Sequence, residues 1–156
     1  MAGGASVQEL AARYADGVDR RAFDEVAALF RPDGVLVSPG RRPDELAEHV
    51  GRDAVASALH GVEDTVATLH AITGHVIDGE GDTATGTVSC LAHHVLDTRT
   101  GRKSLVWIVR YADRYAFADD RWWFARREVA VRWIESHPVT WTAEAPDRAQ
   151  ELRSGP

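Results

Sequence analysis

The chain has 156 residues, long enough to bury a core and short enough to be one domain. Its 44% hydrophobic and 27% charged residues are those of an ordinary globular protein rather than a disordered or fibrous one. A net charge of -6 excludes a general nucleic-acid or anionic-membrane binder, which needs a basic field.

A lone cysteine, Cys90, cannot form an internal disulfide and lies in an apolar run, as expected in a reducing compartment. The first ten residues, MAGGASVQEL, lack the charged and apolar regions of a signal peptide, and no apolar run approaches the roughly 20 residues that span a bilayer. A cytoplasmic protein is expected.

Ser6 followed by Glu9 reads as a capping box opening a helix, with Val7, Leu10, Ala11, Tyr14, Ala15 and Val18 on one stripe. Asp19 closes that helix, and residues 21–30 are expected to form a second, stopped by Pro32. A short strand at 34–38 leads into the loop PGRRPDE. Residues 51–62 read as a third helix with Asp53 as its cap. Four strands then follow at 69–78, 83–96, 103–117 and 122–134, joined by hairpin turns and hence antiparallel. From Pro138 onward a weakly ordered tail is expected, with Trp141 available to dock. The domain is therefore 1–137 and the tail 138–156. This is an α+β layout: three N-terminal helices on a curved antiparallel sheet that encloses a pocket.

Strand alternation assigns the faces. Ala84, Gly86, Val88, Cys90, Ala92 and His94 form a small, apolar, inward face, which sends His93 outward. By the same rule His70, Ile72, Gly74 and Val76 face inward and His75 outward. The third long strand turns Leu105, Trp107, Val109, Tyr111 and Asp113 inward. His70, His94, Tyr111 and Asp113 thus share a face, with Tyr14 on the stripe of the first helix and Asp19 at its end. A neutral imidazole can take a proton from carbon, a second can donate to a leaving hydroxyl, and a carboxylate can fix the tautomer of either. A phenol can hydrogen-bond a carbonyl as charge develops. Each residue also has a structural reading: the histidines as hydrogen-bonded core groups, Tyr14 as packing, and Asp113 as the partner of a buried arginine such as Arg127. No metal-ligand spacing is present, so no metal or cofactor is expected.

The segments RYADGVDRRAFDEVAALFRPDGVL, GRDAV, LHAITGHVIDGEGDTATGTVSCLAHH and YADRYAFADDRWWFARREV, in that order, resemble the nuclear transport factor 2-like superfamily and its SnoaL-like group. The resemblance covers roughly 6–133 and implies the cone-shaped, cystatin-like fold. The site is most similar to scytalone dehydratase, whose pattern implies a catalytic set of Asp19, His70 and His94. Two tyrosines of that pattern are replaced here by Val18 and Ser38. Ketosteroid isomerase resembles the chain differently: Tyr14 and Asp113 fall at its oxyanion-binding positions, while its catalytic aspartate would fall at Ser38. Tyr14, Ser38, Trp107, Tyr111 and Asp113 are the implied substrate-binding residues.

The resemblance implies a cofactor-independent lyase, isomerase or cyclase acting on a hydrophobic, carbonyl-bearing molecule, polyketide-like or aromatic. The alternatives are a non-catalytic small-molecule-binding domain and an accessory subunit of a ring-hydroxylating oxygenase. The family also implies a homodimer formed through the sheet, with Trp122, Trp123 and Trp133 as candidate interface residues.

Overall fold

The structure, a computed structural model, describes residues 6–40 and 45–141. Helix α1 (Val7–Asp19) begins where expected, its first turn closed by the Ser6 N–H donating to the Glu9 carboxylate at 2.9 Å. Its stripe of Val7, Leu10, Ala11, Tyr14, Ala15 and Val18 is buried. Helix α2 (Phe23–Ala27) packs so closely on α1 that a Cβ at Gly17 would lie 2.5 Å from a Val26 methyl. It is shorter than the expected 21–30, because the chain is already extended at Phe30. Strand β1 (Phe30–Pro39) runs from there straight through Pro32.

Strand β2 (Leu46–Val50) pairs antiparallel with β1. It lies in a stretch the sequence analysis left without an element. Helix α3 (Arg52–Leu59) follows, ending in a turn of 3-10 helix at His60–Val62. Its cap residue is Gly51, with φ +85°, and not Asp53, which sits in the first turn. The four long strands are β3 (Ala67–Glu80), β4 (Thr83–Thr98), β5 (Gly101–Ala118) and β6 (Arg121–Pro138). Pro138, where the tail was expected to begin, ends β6. Beyond it the Val139 N–H donates to the Arg102 carbonyl and Trp141 lies under the Arg102 guanidinium, 4.6 Å from it, while the expected tail after Trp141 falls outside the described residues.

All six strands form one sheet in the order β2-β1-β6-β5-β4-β3. The four long strands are antiparallel as expected, and β1 joins their edge by running parallel to β6. Extra residues bulge the sheet at Thr73 in β3 and at Ala125 and Arg132 in β6, and such bulges bend and twist a strand. The helices cover the concave side. Tyr14, Phe30, Leu36, Val55, Tyr115 and Phe124 form the centre of the core there.

The Thr73 bulge corrects one expectation. Ile72 pairs with Cys90 and Gly74 with Ser89, so Thr73 has no cross-strand partner and alternation restarts one residue late. Val76 is therefore 64% exposed, and His75 points inward, its Nε2 3.0 Å from the Tyr115 hydroxyl. Burial lowers the pKa of His75. His70 and Ile72 precede the bulge and keep the expected side.

Among the described residues no helix is long and apolar enough to cross a membrane.

Candidate active site

Between the helices and the sheet lies a cavity of about 320 Å³. Its wall combines apolar side chains (Val18, Leu36, Leu59, Val62, Leu96, Leu105, Val129) with Tyr14, Ser38, Thr65, His70, His94, Trp107 and Tyr111. Volume and lining suit a small, largely apolar ligand held by a few polar groups.

Asp19 and His70 meet here from different elements. Asp19 ends α1 and His70 lies near the start of β3. The carboxylate accepts two bonds from His70, from ring Nδ1 at 2.7 Å and from the backbone N–H at 2.9 Å. Burial by itself raises the Asp19 pKa, but these bonds outweigh it and the net shift is downward. An ionised Asp19 fixes the proton on His70 Nδ1, which leaves Nε2 as a lone-pair base. The His70 side chain is 8% exposed.

Arg21 holds the junction in place. It sits at φ +62°, a turn conformation that swings its side chain back across the end of α1. Its guanidinium donates to the Val18 carbonyl, to Thr68 Oγ1 at 2.7 Å and to Thr65 Oγ1 at 2.6 Å, tying the helix end to the start of β3.

His94, on β4, faces His70 with 5.8 Å between ring centroids and packs on Trp107 at 4.9 Å. Burial, reinforced by the neighbouring His70, lowers its pKa to about 4, so it is neutral at pH 7. His94 Nδ1 and Trp107 Nε1 are buried and make no hydrogen bond among the described residues. Buried polar atoms without partners are costly, and a ligand oxygen or a water is the usual remedy.

Tyr14 and Tyr111 form the floor, with ring centroids 6.0 Å apart. Burial pushes the Tyr14 hydroxyl up to about 12 and the Tyr111 hydroxyl well above its usual value. Both stay protonated donors at neutral pH. Ser38, on β1, lines the opposite wall.

Asp113 is the exception among the expected binding residues. It stands directly across from Arg127 on β6, and its carboxylate accepts two bonds from that guanidinium, at 2.9 and 2.8 Å, and one from the Tyr115 hydroxyl at 2.7 Å. Both side chains of the pair are fully buried. The guanidinium lies over the rings of Tyr14, Tyr111 and Phe124 at 4.2–4.4 Å. Asp113 is consumed by this scaffold behind the tyrosine floor and does not reach the cavity wall.

Sequence reasoning did not single out Arg21, Thr65 or His49. His49 was invisible because β2 was not expected. Arg21 carried one weak signal, an arginine immediately after the helix-ending Asp19-Arg20. Among the described residues there is no cluster of three or more His, Cys, Asp or Glu able to hold a metal.

The profile of the SnoaL-like domain matches residues 4–128, most of the chain. The chain belongs to the SnoaL-like domain family. No curated protein matches it significantly. Among solved structures, this SnoaL-like domain is similar to a provisionally assigned scytalone dehydratase from Novosphingobium aromaticivorans, at 24% identity and a TM-score of 0.69 over 91% of each chain. It is also similar to a type 2 hexachlorocyclohexane dehydrochlorinase, LinA, at 19% identity and a TM-score of 0.72 over 91% of this chain and 92% of that one. A third, an NTF2-like protein with a cystatin-like fold from N. aromaticivorans, shares 21% identity with a TM-score of 0.67 over 81% and 80% of the two chains. At these identities the likeness is one of fold: this SnoaL-like domain has the NTF2-like, cystatin-like architecture.

Proposed function

We propose that this SnoaL-like domain is a cofactor-independent lyase, isomerase or cyclase that removes a proton from carbon next to a carbonyl group in a hydrophobic, polyketide-like or aromatic molecule. The observation that carries this reading is the Asp19–His70 pair, held at 2.7 Å in the wall of a largely apolar cavity. His70 Nε2 takes the α-proton. The C–H electron pair becomes the new C=C bond, and the carbonyl π pair moves to oxygen. Asp19 stabilises the resulting imidazolium. In a dehydration the electrons then return, the Cβ–O bond breaks, and the departing hydroxyl takes the proton that His70 Nε2 gained and leaves as water. His94, neutral at pH 7, serves as a hydrogen-bonding partner to that group rather than as a charged acid. Tyr14 and Tyr111 are the floor on which the ring system rests.

The test uses β-tetralone, a bicyclic ketone with exchangeable α-hydrogens. In heavy water the protein is expected to accelerate deuterium uptake next to the carbonyl. His70→Gln or Asp19→Asn should reduce that acceleration by roughly 10²–10⁴, the usual worth of a positioned base. Exchange at the buffer rate with wild-type protein, alongside measurable ketone binding, would replace this reading with a non-catalytic binding domain.

The outer face of the sheet supports self-association of the same molecule. Leu69, Val76 and Trp133 stand there more than half exposed, beside Leu91 and Ile108. Trp122 and Trp123 do not join them: Trp122 packs against the core, and Trp123 is covered by Arg52 and Arg121. A homodimer through this face predicts twice the chain mass in sedimentation equilibrium and the monomer mass for Trp133→Glu.

A further inference from the structure

One polar pair at the cavity has no part in the chemistry above. Ser38 Oγ lies 3.0 Å from His49 Nε2. The backbone register explains the contact: Leu36 pairs with His49 and Ser38 with Ala47, so His49 stands on the same face as Ser38, one diagonal step away. Leu36 and Ser38 both line the cavity. The imidazole is half-buried on β2, the strand at the sheet edge. Of the three residues that β1 gives to the cavity wall, Leu36, Ser38 and Pro39, only Ser38 has a polar side chain.

A serine hydroxyl has one proton and two lone pairs. If histidine accepts that proton, the serine shows the cavity only a lone pair. If histidine Nε2–H donates to the serine, the hydroxyl proton is held only by a long 3.5 Å contact to the Pro39 carbonyl and can turn from it to a ligand. The second arrangement matches what the opposite wall needs. When His70 removes a carbon-bound proton, negative charge grows on the ligand oxygen, and a fixed donor there lowers the barrier.

We propose that His49 is a positioning residue: it donates Nε2–H to Ser38, and the Ser38 hydroxyl thereby donates to the carbonyl oxygen of the ligand. This deepens the proposed function, on which it rests, by fixing the ligand's orientation. The ketone oxygen lies toward β1 and the acidic C–H toward β3. The specificity that follows is for a ketone over a hydrocarbon of the same shape. No covalent bond forms at Ser38, and no proton leaves it.

The experiment compares binding of β-tetralone with that of tetralin, the same bicycle without oxygen, and follows deuterium exchange of the ketone. Variants are Ser38→Ala, His49→Phe and His49→Gln, the last of which keeps an N–H where Nε2 stood. The expected result is a roughly tenfold or larger loss of the exchange rate constant at saturating ketone in S38A and H49F. The ketone preference in binding should fall with it, tetralin affinity should stay at the wild-type level, and H49Q should recover most of the loss. Nitrogen-15 spectra of the free protein should show His49 protonated at Nε2. H49Q as impaired as H49F, or an unprotonated Nε2, overturns the proposal. Unchanged tetralin affinity separates a lost hydrogen bond from a misfolded variant. If the wild-type protein exchanges nothing, the acid–base reading fails separately, and the ketone-over-tetralin ratio decides this proposal: lowered in S38A and H49F it stands, unchanged it falls.

Discussion

His94 carries a consequence for stability that is separate from the proposed chemistry. Its pKa near 4 in the folded chain lies below the 6.5 of an unperturbed imidazole, because burial and then His70 disfavour the charged form. On acidification the unfolded chain takes up this proton before the folded chain does. The stability that goes with a neutral His94 is therefore complete above about pH 6.5 and is lost as the pH falls toward 4. The loss is on the order of 3 kcal/mol. Urea unfolding at pH 7 and pH 5 should reveal most of it, and His94→Leu should flatten that difference while the carboxylates titrate as before. The Asp113–Arg127 pair makes the opposite kind of prediction. Both side chains are fully buried, so removing one strands the other as an uncompensated charge. Asp113→Ala should cost roughly 3–5 kcal/mol in urea unfolding, whereas Asp113→Leu with Arg127→Met should cost far less.

At the scale of elements, alternation placed His70 and His94 on the cavity side because it was read on the correct side of each irregularity. His70 precedes the Thr73 bulge, and β4, by its pairing with β5, runs without a slip. The same rule failed at His75 and Val76, two and three residues beyond the bulge. Nothing in Ile-Thr-Gly-His-Val distinguishes a bulged strand from a regular one, since a bulge is selected by how two strands fit and not by either alone. Strand β2 was missed for a related reason. Its five residues alternate between exposed and half-buried side chains, and only β1 makes a strand of them. Asp113 was legible as an inward acid, but whether it would meet a ligand or Arg127 depended on the register of β6, which two bulges shift. Gly86 shows how finely the strands fit. A Cβ there would lie 2.7 Å from the Tyr115 ring and 2.8 Å from its hydroxyl, the group that bridges Asp113 and His75. Gly86→Ala should lower stability by about 1–3 kcal/mol, read as a drop in Tm, even though alanine is an ordinary strand residue.

The whole molecule divides its labour between its two faces. The concave side holds the helices, the cavity and every polar group assigned to the proposed chemistry, while the outer side exposes the apolar side chains of Leu69, Val76 and Trp133. A third property follows from the parallel pairing of β1 with β6. The last strand of the sheet to be made does not add to an edge; it lies between β1 and β5, the second and fourth places of a continuous hydrogen-bonded row. Until β6 is in place, β1 and β2, with Ser38 and His49, have no link through the sheet to the hairpins that carry His70 and His94. During synthesis β1–β2 and β3–β5 are thus two half-sheets that must wait for β6. Closure joins residues about ninety positions apart, such as Val35 and Arg126, which costs loop entropy and slows folding. In the interval both half-sheets show an open edge where β6 belongs, so a nascent or truncated chain is the form most exposed to aggregation and to chaperone capture.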